Sequence, residues 1–157
     1  MVKIQLWLLW SLTYPFSDRN SLTQCLYLEA ILIGMNKNAI LWFDMPTHDF
    51  DRALKFYNEI LGEELQVQDY QGQKLGFFPM DKDGEVGGDL VPPNKEHVPS
   101  KNGQRVYLNC TGKLDEVIGR VEKAGGKIVA PKFSIPDADI AIIEDTEGNI
   151  VGLCSSK

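Results

Sequence analysis

Six residues with chemically useful side chains fall at alternating positions in stretches that read as β-strands. They are Trp42, Asp44, Asp89, Arg105, Tyr107 and Asn109. Side chains two residues apart on a strand point to the same face, so each group lines one side of its strand. Tryptophan is not expected on a sheet face that is turned to water. An apolar pocket with a few directed polar groups is instead typical of a small-ligand site. We therefore predict that these six residues bind a ligand.

The polar members of this set allow several chemistries. Asp44 and Asp89 would serve as general acid and general base if their carboxyl groups met in a dry pocket. Arg105 would face an anionic or carbonyl oxygen of the ligand, while Trp42 would form an apolar wall beside it. Arg105 and Asp44 could instead pair with each other, in which case they close the pocket electrostatically and bind nothing.

Structural roles compete with these functional ones. Trp42 could pack at the floor of the pocket, Tyr107 could place its hydroxyl at the rim, and Asp89 follows two glycines and could serve a turn or bulge. The sequence does not support a catalytic pair of cysteine and histidine. Cys110 belongs on the opposite strand face, and Cys154 has no base that is evident from the sequence.

The elements that must position these residues occur twice. The first copy is "ILWFDMPTHDFDRALKFYNEILG" and the second is "RVYLNCTGKLDEVIGRVEKAGG", offset by 64 to 65 residues. In each copy an alternating strand pattern changes to apolar residues at helical spacing. In the first copy Asp49 is placed to cap the helix and Gly62 to end it in a left-handed conformation. The repeat predicts one strand and one helix at the start of each half.

Three further strands follow each helix. We expect them at about 63–70, 73–80 and 85–91 in the first half, and near 127–130, 139–144 and 149–154 in the second. A "QG" turn and a "DKDGE" turn separate the strands of the first half, and "DTEGN" forms the last hairpin turn of the second. The fold class is therefore α+β, with two βαβββ modules that form curved mixed sheets and keep a helix on the outside of each. The modules span residues 38–91 and 103–155, and the Pro- and Asn-rich stretch 92–102 links them.

The strand faces opposite the candidate site should form the ordinary core against the helices. The residues expected there are Leu41, Phe43, Met45, Val106, Leu108, Cys110, Val151 and Leu153. Phe77 and Phe78, adjacent on one strand, should point one to the core and one to the site.

Composition excludes several classes of function. The formal charge of −6 repels phosphate backbones, so nucleic acid is not an expected partner. Three cysteines without metal spacing suit reduced thiols and a cytoplasmic protein.

Residues 1–34 contain only four charged residues, and neither of their apolar runs reaches the ~20 residues that span a bilayer. No clear signal-peptide cleavage site follows. We expect a start codon assigned too far upstream, with a genuine N-terminal extension as the alternative, and a domain that begins at Met35.

The chain resembles the vicinal oxygen chelate superfamily, which includes glyoxalase, bleomycin-resistance and extradiol-dioxygenase proteins. The resemblance is carried by "WFDMPTHDFDRALKFYNEILG", "GGDLV", "VYLNCTGKLDEVIGRVEKAGGKIVAPK" and "DTEGNIVGLCS", in this order and spacing. It implies that each module bends its sheet into a half-cup and that two half-cups form one site. It also implies that the metal-dependent members take one His or Glu ligand from each of four strands.

Carried over by resemblance, the four ligand positions fall on Trp42, Asp89, Arg105 (or Val106) and Gly152. Only Asp89 offers a metal-binding atom, because Trp and Gly have none and Arg is a permanent cation. His48 and His97 lie in predicted loops. We therefore expect neither a metal nor another cofactor, and we leave the catalytic residues unassigned.

The combined prediction is a cytoplasmic, metal-independent glyoxalase-like protein that binds a small organic ligand, without nucleic acid or membrane partners. Two alternatives stay open. One is a metal-dependent lyase, isomerase or dioxygenase whose remaining ligand is Asp89, and the other is a resistance protein that sequesters a drug. Because the linker is long enough for the modules to pair within one chain or between two, both a monomer and a homodimer are expected possibilities.

Overall fold

The computed structural model describes residues 40–80 and 86–157. Ile40–Lys157 form one compact unit. The predictions about an extension at 1–34, a start at Met35 and a "DKDGE" turn at 81–85 lie outside the described residues. The other predicted elements can be compared with the structure.

Both modules have the predicted order of strand, helix and three strands. The first module consists of β1 (Trp42–Pro46), α1 (Phe50–Leu61), β2 (Gln66–Tyr70), β3 (Gln73–Phe77) and β4 (Gly87–Val91). The second consists of β5 (Tyr107–Asn109), α2 (Leu114–Val121), β6 (Lys127–Ile135), β7 (Ala138–Glu144) and β8 (Ile150–Ser156). The α+β class is confirmed. β6 is five residues longer than predicted because it pairs with β7 past Pro131, which an edge strand tolerates.

The two sheets have the same topology. The strand order is β1-β4-β3-β2 in the first and β5-β8-β7-β6 in the second. β1 pairs with β4, and β5 with β8, in parallel, while the other pairs are antiparallel. The predicted "QG" turn joins β2 to β3, with positive φ at Gln71 and Gly72. Each sheet is therefore mixed, as the repeat predicts.

Helix α1 has the predicted ends. The carboxylate of Asp49 accepts a hydrogen bond from the Arg52 backbone N–H at 3.0 Å. Gly62 ends the helix with φ 69° and donates its N–H to the Asn58 carbonyl. The buried residues of α1 are Ala53, Phe56, Tyr57, Ile60 and Leu61. α1 packs against α2 as well as its own sheet, so it needs apolar residues on two flanks.

The core draws on both modules. Of the eight residues predicted to face the helices, five are buried, and Phe43 and Val106 pack against them as partly buried residues. The prediction for Leu41 is wrong, since 78% of this residue is exposed. β1 begins at Trp42, so Leu41 precedes the strand and does not follow its alternation. Phe78 is buried in the core while Phe77 contacts Trp42 on the other face, as predicted for this pair.

The turn between β7 and β8 connects the two modules through buried carboxylates. Glu147, whose side chain is fully buried, accepts backbone N–H bonds from His48 and Asp49 at 2.8 and 2.9 Å. The Arg52 guanidinium donates two more bonds to it, at 2.8 and 2.9 Å. Asp145 accepts a 2.7 Å bond from the Tyr57 hydroxyl. The start of α1 is thereby attached to the opposite module.

Candidate functional site

Trp42 and Tyr107 occupy equivalent positions in the two modules. Trp42 is the register partner of Gly87 across β1 and β4, and Tyr107 is the partner of Gly152 across β5 and β8. In both pairs the aromatic ring lies over the glycine, so that a Cβ on either glycine would overlap the ring. The repeat therefore extends to a specific arrangement in which a glycine of the fourth strand supports an aromatic ring of the first.

This register changes the correspondence between the modules. The position carried over to Arg105 belongs two residues later, at Tyr107, which is the counterpart of Trp42. Arg105 precedes β5 and is exposed. The sequence misplaced this position because β5 has only three residues and follows an irregular linker. Its alternation therefore could not be assigned from the sequence alone. In the part of the chain that the structure describes, no ion pair joins Arg105 to Asp44.

One face of the first sheet collects three of the predicted residues. Asp44 and Asp89 are register partners across β1 and β4, and Asp89 is also the partner of Phe77 across β3 and β4. Together with Trp42, two residues before Asp44, they line the same side of the sheet. We call this surface, formed by Trp42, Asp44, Phe77 and Asp89, the first sheet face.

Asp89 is the most enclosed polar group of the first sheet face. The residue is only 4% exposed, and the Trp42 indole Nε1 donates a 3.3 Å hydrogen bond to its Oδ1. Burial raises the pKa of the Asp89 carboxyl, the indole hydrogen bond opposes this, and the negative charge of nearby Asp44 adds to the increase. Two adjacent carboxyl groups, one buried and one exposed, can hold and exchange a proton or accept hydrogen bonds from a ligand.

Aromatic side chains surround this carboxyl group. The rings of Trp42 and Phe77 meet edge to face, with their centroids 5.9 Å apart. Trp42 is 39% exposed, so part of its ring is open to a ligand. The sequence missed Gly87 as a member of this arrangement. Its signal was present, because Gly87 lies 65 residues before Gly152, which the sequence had singled out.

The second sheet carries Tyr107 and Asn109 on a face of its own. Tyr107 is 49% exposed, and Asn109 is the register partner of Cys154. The Asn109 side chain accepts a 3.0 Å hydrogen bond from the Thr111 backbone N–H, so its carbonyl oxygen is already engaged in a turn. Among the described strands none of the first sheet pairs with one of the second. The modules meet through their helices and the β7–β8 turn.

The residues present do not fit the divalent metal that the resemblance implies. The four positions that correspond by register are Trp42, Gly87, Tyr107 and Gly152, of which only the tyrosine hydroxyl has an atom able to bind a metal. His48 lies in the β1–α1 loop and His97 in the linker. Over residues 40–80 and 86–157, no group of three or more His, Cys, Asp or Glu side chains is arranged to hold a metal ion.

Comparison with known proteins identifies a family and a relative. The family model of the glyoxalase/bleomycin resistance protein/dioxygenase superfamily matches residues 39–153. A glyoxylase-like domain-containing protein from Didymella fabae is 29% identical over 121 residues, which cover 71% of this chain and 89% of that protein.

Solved structures share the fold. A glyoxalase/bleomycin resistance protein from Albidiferax ferrireducens has a TM-score of 0.61 at 13% identity, covering 76% of this chain and all of the other. TnmS3, an antibiotic binding protein from a Streptomyces species, has a TM-score of 0.59 at 22% identity over 78% of this chain and 99% of its own. A glyoxalase I mutant from Zea mays has a TM-score of 0.58 at 23% identity, and the alignment covers 73% of this chain but only 45% of that protein.

In the described region, α1 has 12 residues and α2 has 8. None of them is long and apolar enough to span a membrane.

Proposed function

The chain belongs to the glyoxalase/bleomycin resistance protein/dioxygenase superfamily, and on this basis we propose that it binds a small planar organic ligand on the first sheet face without a resident metal. One observation carries the proposal. The Trp42 ring lies over Gly87, with its edge against Phe77 and its N–H on the buried Asp89 carboxyl. A ring fixed in this way provides a flat apolar surface beside a directed polar group, the combination that a small-ligand site requires.

Each side chain has a distinct role in this proposal. Trp42 stacks on the ligand, Phe77 limits where the ligand can slide, and the carboxyl groups of Asp44 and Asp89 bind its polar atoms. Tyr107 repeats the aromatic surface in the second module. Arg105 has no part in the first sheet face, since it lies outside β5.

A sequestering protein is the second candidate, and the arrangement of rings over glycines favours it over a metal-dependent enzyme. The register-equivalent positions hold two aromatic residues and two glycines, which can stack on a ligand but supply few groups for chemistry. The similarity to TnmS3, an antibiotic binding protein, is compatible with sequestration, although at 22% identity it is a likeness of fold. A cytoplasmic location stays a prediction.

Metal content and ligand binding test the proposal together. Protein purified without chelators is expected to contain far less than one metal ion per chain. It is also expected to bind at least one of three tricyclic probes, acridine, N-methylacridinium and anthraquinone-2-sulfonate. Binding should be unchanged by EDTA and should weaken about tenfold or more in Trp42→Ala, because the stacking surface is lost. Metal analysis and calorimetric titration measure both quantities. One metal ion per chain, with binding that EDTA abolishes, would contradict the proposal.

We further propose that two chains associate through the outer strand edges of their sheets. Trp42 and Tyr107 are 39% and 49% exposed in the single chain. Among the described strands, β1 and β5, which carry them, are each the outermost strand of their sheet, with one edge that no other described strand pairs with. Native mass spectrometry at micromolar concentration is expected to give twice the mass of one chain. The proposal would be contradicted if only the mass of one chain were seen at every concentration up to about 100 µM. A dimer that does not form at this concentration would be too weak to count as stable.

A further inference from the structure

Asp89 differs from the other buried carboxylates of the described region in how many donors it has. Asp145 accepts four hydrogen bonds, from the Tyr57 hydroxyl, the Asn149 side chain and two backbone N–H groups. Glu147 accepts bonds from two backbone N–H groups, the Arg52 guanidinium and the Thr146 hydroxyl. Asp89 is as buried as Asp145 at 4% exposed, yet the hydrogen-bonding groups that reach it within residues 40–80 and 86–157 are fewer: the Trp42 indole, its own backbone N–H and the neighbouring Asp44 carboxyl.

Asp89 also has no cationic partner among the residues that the structure describes. Within the described parts of the chain, neither Asp89 nor its register partner Asp44 forms an ion pair with a lysine or arginine. Two adjacent carboxylates, one of them buried, repel each other unless they share a proton or a positive group reaches them. The same pair repels an anionic ligand, since like charges at short range raise the energy of the complex.

The surrounding aromatic groups select the kind of cation. Trp42 and Phe77 stand edge to face beside the carboxyl groups, and the Trp42 face is partly open. An aromatic face attracts an organic cation through its quadrupole, and tryptophan does so most strongly. A metal ion would gain little from these rings, whereas a planar cation can stack on the indole while its charge lies near the carboxylates.

We propose that the ligand of the first sheet face is a planar organic cation, such as a protonated or quaternary heteroaromatic amine, held between the Trp42 ring and the Asp44–Asp89 pair. This inference rests on the proposed function and specifies the ligand class of that site. It assigns Asp89 as the buried anionic partner, Asp44 as the exposed one and Trp42 as the stacking surface.

The test compares three tricyclic probes that differ in charge, using the full chain at pH 8, where acridine is neutral. N-methylacridinium is expected to bind about tenfold or more tightly than acridine, and anthraquinone-2-sulfonate more weakly than both. Asp89→Asn and Asp44→Asn should each reduce the affinity for N-methylacridinium by roughly tenfold while changing that for acridine by less than about twofold. Asp51→Asn, the same charge change on the exposed face of α1, should leave all three affinities unchanged.

The outcomes separate this inference from the proposed function. Binding of acridine or of the anion as tightly as the cation would overturn the inference and leave the planar-ligand site standing. Cation affinity that is unchanged in Asp44→Asn would overturn it as well, and this exposed position keeps the test valid if Asp89→Asn fails to fold. Failure of all three probes to bind would overturn both.

Discussion

Replacing Glu147 with alanine is expected to lower the free energy of unfolding by about 3 kcal/mol. The side chain is fully buried and accepts the backbone N–H bonds of His48 and Asp49, which precede α1 and have no partner within the helix. It also receives two bonds from Arg52. Alanine leaves these donors unpaired and detaches the first module from the β7–β8 turn. Urea denaturation followed by circular dichroism measures the change.

A matched control is Glu59→Ala, which removes an exposed carboxylate from α1. Its effect should stay within about 0.5 kcal/mol, as is usual for exposed positions. If the two variants lost the same small amount of stability, Glu147 would not connect the modules in the way its hydrogen bonds indicate.

The same carboxylate gives stability a defined pH dependence. Burial alone would raise the pKa of Glu147, but the hydrogen bonds from Arg52 and from the backbone of Asp49 and His48 outweigh it and hold the pKa below its ordinary range. A carboxyl whose folded pKa is depressed contributes its full stabilisation above the unfolded pKa of about 4.3. This contribution is lost as the pH falls through the lower folded value, and the loss should be smaller in Glu147→Ala.

Among substitutions that add a single methyl group, Gly87→Ala is expected to weaken ligand binding the most. A Cβ at this position would overlap the Trp42 ring, so the ring must swing away and the indole hydrogen bond to Asp89 must break. We expect the affinity for the best-binding tricyclic probe to fall about tenfold or more, because the stacking surface is displaced. The cost in stability should be only about 1–2 kcal/mol, since the ring can move into solvent. Calorimetric titration and thermal unfolding measure the two effects separately.

Two glycine variants complete this experiment. Gly152→Ala should displace Tyr107 in the same manner and report whether the second module contributes to binding. Gly119→Ala, in α2, places its Cβ in open space and should leave affinity unchanged. Wild-type affinity in Gly87→Ala would show that the position of the Trp42 ring does not determine binding.

Local patterns predicted the fold because each module forms its elements from nearby residues. Asp49 and Gly62 set the ends of α1 through contacts within four residues, and both were identified from the sequence. The alternation in β1 correctly assigned Met45 to the core, and it failed only at Leu41, where the strand had not yet begun. The fold class was therefore accessible without long-range information.

The candidate site was predicted less completely, because its geometry depends on pairing between distant segments. The sequence analysis selected Trp42, Asp44 and Asp89 individually, but the register that places Asp44 beside Asp89 spans 45 residues and has no local signal. The same limit explains why Arg105 was chosen where the register has Tyr107. Glu147 was noted only as part of a hairpin turn, since its partner Arg52 lies 95 residues away.

The central claim is that a planar ligand binds on the first sheet face over Trp42, and mapping by ¹⁵N NMR tests it most directly. The chain has three tryptophans, so the Trp42 indole signal can be assigned with Trp42→Phe. On titration with N-methylacridinium, we predict that the largest shifts occur at the Trp42 indole N–H and at the backbone amides of Gly87 and Asp89. Largest shifts on the exposed surface of α1, or no shifts at saturating probe, would contradict the account.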